Sequence, residues 1–210
     1  MDHLEINIFH FSSIFAYNNI NRFLGEIMMT KEAFVIVDMV NDFVTGKFKN
    51  PRAEKIIPNV QQLLAVAHQQ NIPVIYCSDL HLPVDHELEV WGEHCMQGTW
   101  GAEIIPQLTP QEHDYTLTKH TYCAFFETGL NTLLRELDVD TIVLAGVVTN
   151  ICIVHTAAAG FFNDYQVIVP PETTDAVNEQ LYKTTLDYMK ETYHVALTST
   201  KEVAQQWASR

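Results

Sequence analysis

The sequence predicts an α/β protein built on a parallel sheet with helices on both faces. Three observations predict it. Short continuous runs rich in Val and Ile recur along the chain, the pattern of strands buried on both sides rather than one. Segments with apolar residues at helical spacing separate these runs, as βαβ connections require. The chain has 210 residues, 47% of them hydrophobic, enough to bury one substantial core as a single domain.

The elements follow in order. AFVIVD (33–38) is an unbroken apolar run ending in Asp38, the first strand. Residues 53–71 show helical spacing through Ile56, Val60, Leu63, Leu64 and Ala67. IPVIYCS (72–78) is the second strand and DYTLTK (114–119) a shorter third. Residues 127–139 read as a helix, TIVLAG (141–146) as the fourth strand and 151–164 as another helix. YQVIVP (165–170) is the fifth strand, 174–193 a long helix, HVALTS (194–199) the sixth strand and KEVAQQWA (201–208) a closing helix. Residues 29–210 are expected to form this one domain. Residues 1–28 carry aromatic and Asn residues without a period, and lack the basic and apolar regions of a signal peptide. They are expected to be a poorly ordered or dispensable extension, translated from an upstream start codon, with Met28 or Met29 as the natural start.

Composition narrows the partners. A net charge of −14 argues against nucleic acid or an anionic membrane, and no window approaches the roughly 20 apolar residues of a membrane span. Cys77, Cys95, Cys123 and Cys152 are scattered without CxxC pairing, which suits free thiols in a reducing cytoplasm.

Ligands of open parallel sheets bind beyond the carboxyl ends of the strands. The first strand ends in Asp38, the second in Asp79 and His81, the third in Lys119, and the fourth in GVVTNIC, which brings Cys152. A free thiol has a pKa of about 8.5, and a helix N-terminus or a neighbouring cation favours the thiolate. Cys152 has both if Thr149 or Asn150 caps the following helix and Lys119 lies one strand away. Alone, Cys152 reads more readily as a small buried hydrophobe, and the bland role of Asp38 is to cap a turn. Four such side chains at one sheet edge favour chemistry, with Asp38 as the acid–base group.

The segment DLHLPVDHELEVWGEHC (79–95) raises the question of a metal. Asp79, His81 and His94 make a mixed N/O set suited to zinc, iron or manganese. His86 and Glu87 lie in the intervening loop. Spacing alone is a weak signal here, since solvated loop histidines give the same pattern.

The blocks DMVNDF (38–43), SDLH (78–81), WGEHCMQGTWGAEIIPQL (91–108), KHTYCAFFETGLNTLLRE (119–136) and GVVTNICIVHTAAAG (146–160) resemble, in order and spacing, the isochorismatase-like cysteine hydrolases, and among them the nicotinamidases. The resemblance implies a six-stranded parallel sheet in a three-layer α/β/α sandwich. It implies an Asp-Lys-Cys triad at Asp38, Lys119 and Cys152, and a divalent metal, zinc in many members, on Asp79, His81 and His94, with Glu87 as a further carboxylate. It also implies a cis peptide between Val147 and Val148, which turns the Val148 N–H toward the oxyanion beside that of Cys152.

Some positions depart from the nicotinamidase pattern. VTGKFKNPRAEK stands where a Pro-Gly-Gly turn is typical, Cys123 stands where a small Ser is common, and the loop from His81 to His94 is short. The expected activity is that of a metal-containing cysteine amidohydrolase, a nicotinamidase of NAD metabolism that converts nicotinamide and water to nicotinate and ammonia through a Cys152 thioester. Phe43, Trp91 and Tyr122 are candidate aromatic walls for the substrate. Hydrolysis of another small amide or carbamoyl-amine is the alternative within the chemistry. A binding member of the fold that has lost turnover is the alternative outside it. The family also suggests a homo-oligomer.

Overall fold

The computed structural model describes residues 31–210; the extension expected over 1–28 lies outside them. Among the described residues, six strands form one parallel sheet. They are β1 (Glu32–Val37), β2 (Val74–Asp79), β3 (Tyr115–Lys119), β4 (Thr141–Val147), β5 (Gln166–Ile168) and β6 (Thr174–Asp175). The order across the sheet is β3-β2-β1-β4-β5, and β6 pairs with the carboxyl end of β4.

The expected sixth strand at 194–199 is replaced by a single parallel bridge, Ile168 to Ala196, at the sheet edge. Two backbone bonds hold it, from Val169 N–H to Ala196 O and from Ala196 N–H to Val167 O, each 2.9 Å. The sixth strand instead comes from Thr174–Asp175, at the start of the segment expected to be helical. The long helix begins only at Glu179, where the Asn178 side chain accepts the Leu181 N–H and caps it.

Side chains alternate between the two sheet faces, and each face has its own core. Phe34, Ile36, Tyr76, Val143 and Ala145 pack against α1–α2 (Asn41–Val44 and Pro51–Gln69) and the closing helix near Trp207. Ala33, Val35, Ile75, Ile142 and Leu144 pack against α4 (Leu130–Glu136), α5 (Val154–Phe162) and α6 (Glu179–Tyr193) on the other face. The short helix α3 (Leu88–Trp91) lies in the loop after β2, and α7 (Thr200–Ala208) ends the chain. Two buried layers around a central sheet explain why β1 and β4 are buried throughout, whereas edge strand β3 is mostly exposed.

α2 starts at Pro51 with Asn50 capping the Arg52 N–H. α7 starts in a Ser199/Glu202 capping box. Its Trp207 indole N–H donates to the buried Glu32 carboxylate at the start of β1, which ties the chain's end to the central strand. No helix among the described residues is long and apolar enough to cross a membrane.

Register aligns the strand ends. Val37 pairs with Cys77 on one side and Gly146 on the other, and Asp79 pairs with Lys119. Gly146 has φ +119°, and a Cβ there would stand 1.9 Å from the Val37 carbonyl oxygen. Only glycine lets β4 close on β1 as it turns into the Cys152 loop.

Candidate active site

Asp38 leaves β1 with φ +57°, in the left-handed region that Asp tolerates better than most residues. Its carboxylate is buried, and Oδ1 accepts the Asp79 N–H at 2.9 Å. Lys119 is also fully buried. Its ammonium lies 2.7 Å from Asp38 Oδ2, 2.5 Å from Asp79 Oδ1 and 3.8 Å from Cys152 Sγ. The contact to Asp38 Oδ2 is ionic without hydrogen-bond alignment, so that oxygen keeps room to accept a proton. The three expected triad residues therefore meet at one point.

The route by which they meet differs from the expectation. Lys119 does not sit one strand from the Cys152 loop, because β2 and β1 lie between β3 and β4. The long lysine side chain spans that gap to reach Asp79, Asp38 and Cys152. Neither Thr149 nor Asn150 caps a helix. The Thr149 hydroxyl is bonded to Thr174 at 2.8 Å, and Cys152 lies inside a π-helical turn, Thr149–Ile153, that precedes α5. π turns of this kind are rare and frequent at functional sites.

Electrostatics sets the resting protonation. Burial, then Asp79, push the Asp38 carboxyl up to about 7, with Lys119 pulling it back. Burial alone would lower the Lys119 ammonium, but Asp38, Cys152 and Asp79 hold it well above its ordinary value. Burial pushes the Cys152 thiol well up despite Lys119. The resting nucleophile is thus a thiol beside a base of near-neutral pKa, not the thiolate that a capped helix would favour. A base poised near neutrality suits proton transfer in both directions.

Asp79, His81, Glu87 and His94 form the second constellation. One donor atom from each lies within 4.8 Å of all the others, and all four side chains are buried. His81 Nε2 is 3.7 Å from Asp79 Oδ2, and His94 Nε2 is 3.8 Å from Glu87 Oε1. The loop returns to β2 through two bonds of 2.9 Å, His81 N–H to Cys95 O and Gln97 N–H to His81 O. His94 Nδ1 faces the Gly92 carbonyl at 2.8 Å, which leaves Nε2 for the cluster. Buried His81 Nε2 and Glu87 Oε2 have no hydrogen-bond partner. Buried polar atoms of this kind are normally satisfied, and a mixed N/O quartet fits a divalent cation. His86, the other loop candidate, is exposed and pairs with Glu89 at 3.2 Å, away from the cluster.

Both constellations open onto one cavity of about 390 Å³, lined by Asp79, Glu87, His94, Val148 and Cys152. Phe43, Trp91 and Tyr122, the three expected walls, also line it. The Trp91 indole donates to the Tyr122 hydroxyl at 2.9 Å, joining two of them. The Val147–Val148 peptide is cis, as the resemblance implied. Sequence reasoning missed Phe48, Lys47 and Lys49, which line the same cavity. The signal was present in VTGKFKN, whose departure from a Pro-Gly-Gly turn marked the loop but not its direction.

The isochorismatase domain model matches residues 32–202. The solved N-carbamoylsarcosine amidase from Thermoplasma acidophilum is 35% identical, with a TM-score of 0.78 over 81% of this chain and 97% of that one. Nicotinamidase 3 of Arabidopsis thaliana is 31% identical over 160 residues, covering 73% of this chain and 78% of its own. The isochorismatase family protein YaaI of Bacillus subtilis is 28% identical over 177 residues, covering 83% and 97%. By the family match and by its fold, the chain belongs to the isochorismatase family, and it is similar to amidohydrolases within it.

Proposed function

We propose that the protein is a metal-containing cysteine amidohydrolase whose substrate is a small planar amide, with nicotinamide as the first candidate. One observation carries this reading. Cys152, backed by the buried Asp38 and Lys119, lines one aromatic-walled cavity together with Asp79, Glu87 and His94 of the quartet.

Asp38 takes the Cys152 thiol proton as sulfur attacks the carboxamide carbon. Lys119 offsets the charge that develops between them. The oxyanion is stabilised by the backbone N–H groups of Val148 and Cys152. Asp38 returns its proton to the departing nitrogen, and ammonia leaves behind a thioester. Asp38 then accepts a proton from water, which adds to the thioester carbon. Collapse of that adduct releases the acid and expels the Cys152 sulfur, to which Asp38 returns its proton, restoring the thiol. Asp79, His81, Glu87 and His94 would hold a divalent ion, which when bound would act as a Lewis acid toward a ring nitrogen of the substrate. Phe43, Phe48, Trp91 and Tyr122 exclude water and stack on a flat ring.

A second reading, hydrolysis of a carbamoyl-amine carrying a carboxylate, is favoured by Lys47 and Lys49 at the cavity. The similarity to N-carbamoylsarcosine amidase points the same way. An ammonia-release assay over nicotinamide, pyrazinamide and N-carbamoylsarcosine, with metal content measured on the same sample, separates the two. Turnover of nicotinamide with about one zinc-class ion per chain is the expected result. Turnover confined to the carbamoyl acid would replace it with the second reading.

A further inference from the structure

The acidic side chain just outside the quartet has a role that the reaction steps leave unassigned. Asp85 Oδ2 lies 3.0 Å from His81 Nδ1, 2.8 Å from His120 Nδ1 and 2.9 Å from the Leu82 N–H. The Asp85 N–H in turn donates to the Leu82 carbonyl at 3.0 Å, which closes a tight turn and fixes the carboxylate's position. An ionised carboxylate only accepts hydrogen bonds. Both imidazoles therefore present a proton on Nδ1.

For His81 the consequence is specific. A neutral ring with its proton on Nδ1 carries its lone pair on Nε2, the buried and partnerless nitrogen that faces Asp79 in the quartet. Without Asp85 the ring could take the other tautomer and donate from Nε2 to Asp79, which would remove one ligand from the cluster. The two histidines of the quartet are thus set by different acceptors. His94 relies on a backbone carbonyl, which no side-chain substitution removes, and His81 relies on Asp85.

His120 extends the arrangement to the surface. It follows Lys119 at the end of β3, and its half-exposed ring borders a separate cleft of about 590 Å³ between Asp85, Val90 and Phe126. The carboxylate so bridges the loop after β2 to the end of β3, which ties the metal-side loop to the strand that supplies the triad lysine.

We infer that Asp85 is the positioning residue of the quartet, fixing the tautomer and orientation of His81, and that His120 holds Asp85 in that role. The inference rests on the metal reading above. Loss of such an outer-sphere partner typically weakens metal affinity about 10- to 100-fold.

The test is zinc affinity, measured on the full chain by competition with a chromophoric chelator, for wild type, Asp85→Ala, Asp85→Asn and His120→Ala. Zinc should bind wild type, and Asp85→Ala should weaken it about 10- to 100-fold. Asp85→Asn, whose amide oxygen can still accept the His81 proton, should recover part of the loss, and His120→Ala should show a smaller one. Cobalt-substituted Asp85→Ala should also show an altered visible spectrum. If Asp85→Ala does not fold, Asp85→Asn and His120→Ala decide, and wild-type zinc affinity in both would overturn the inference. A lower melting temperature of the metal-free Asp85→Ala protein with unchanged zinc affinity would overturn it in favour of a purely structural role. A wild-type protein that binds no zinc would overturn this inference together with the metal reading, whereas wild-type binding equalled by Asp85→Ala would overturn this inference alone.

Discussion

The two halves of the cavity are built on opposite electrostatic plans. On the triad side, Lys119 is flanked by Asp38 and Asp79 at 2.7 and 2.5 Å, so a buried cation and its buried anions answer one another. On the quartet side, two carboxylates and two imidazoles converge with His81 Nε2 and Glu87 Oε2 left unsatisfied. The charges of the first group are answered within the chain, although Asp38 Oδ2 keeps room for a proton, and the second asks for a cation. Asp79 belongs to both. One oxygen pairs with Lys119 while the other faces His81, so the two halves share a charge. Damage to the triad side should therefore cost chemistry or folding, whereas damage to the quartet side should change what the protein holds.

The sharpest break is Cys152→Ala. Removing the nucleophile should lower kcat by at least about 10⁴-fold and leave the melting temperature nearly unchanged, since one sulfur is lost from a tight pocket. Comparable turnover by the variant would end the thioester mechanism. Lys119→Met separates charge from volume. It leaves Asp38 and Asp79 buried and facing each other, so a stability loss of about 3–5 kcal/mol is expected in denaturant titration. A variant as stable as wild type would show that the buried pair is not held as the geometry indicates.

On the quartet side, metal removal should act by mass action. Zinc at a thousand times its dissociation constant should stabilise the chain by about 4 kcal/mol, seen as a rise in melting temperature when zinc is restored to chelated protein. His94→Ala should abolish that rise. The pH profile tests the shared charge. Asp38 acts as a base only when deprotonated, and its pKa is raised, so kcat/KM should climb with pH on an acid limb centred near 7. A bound cation would weaken the push from Asp79 and draw that limb downward. A profile with no acid limb anywhere between about pH 4 and 8 would remove Asp38 as the proton acceptor.

These contrasts also show what could be read from the chain. Asp38, Asp79, His81, Lys119 and Cys152 were legible because each stands at or just beyond the carboxyl end of a strand, and a parallel sheet brings such positions to one edge. The sheet order was not, because crossover connections decide which strands are neighbours, and nothing local in YTLTK says that two strands separate it from β4. The cap expected at Thr149 failed for a similar reason. Its hydroxyl is taken by Thr174, a partner 25 residues away on a two-residue strand too short to carry a periodic signal. Asp85 escaped notice because its role depends on a contact with His120 that only the fold creates.

The smallest expected effect concerns the wall that the sequence did not identify. Phe48 stacks on Phe43 with ring centroids 5.9 Å apart and planes 11° from parallel. It also meets His94 and Trp91 nearly edge-on, at 5.1 and 6.4 Å. With Phe43, whose ring lies 5.7 Å from that of His94, it joins the aromatic wall to the quartet. Burying a Phe against a ligand is worth about 1.5–3 kcal/mol when complete, and Phe48 is only partly covered, so Phe48→Ala should raise KM for nicotinamide about tenfold at the lower end of that range. Because Phe48 takes no part in the proton or acyl transfers, kcat should move far less. The same variant assayed on N-carbamoylsarcosine discriminates between the substrate readings, since a compound without a ring has nothing to stack. An equal rise in KM for both would show that Phe48 shapes the loop carrying Lys47 and Lys49 rather than contacting the substrate's ring.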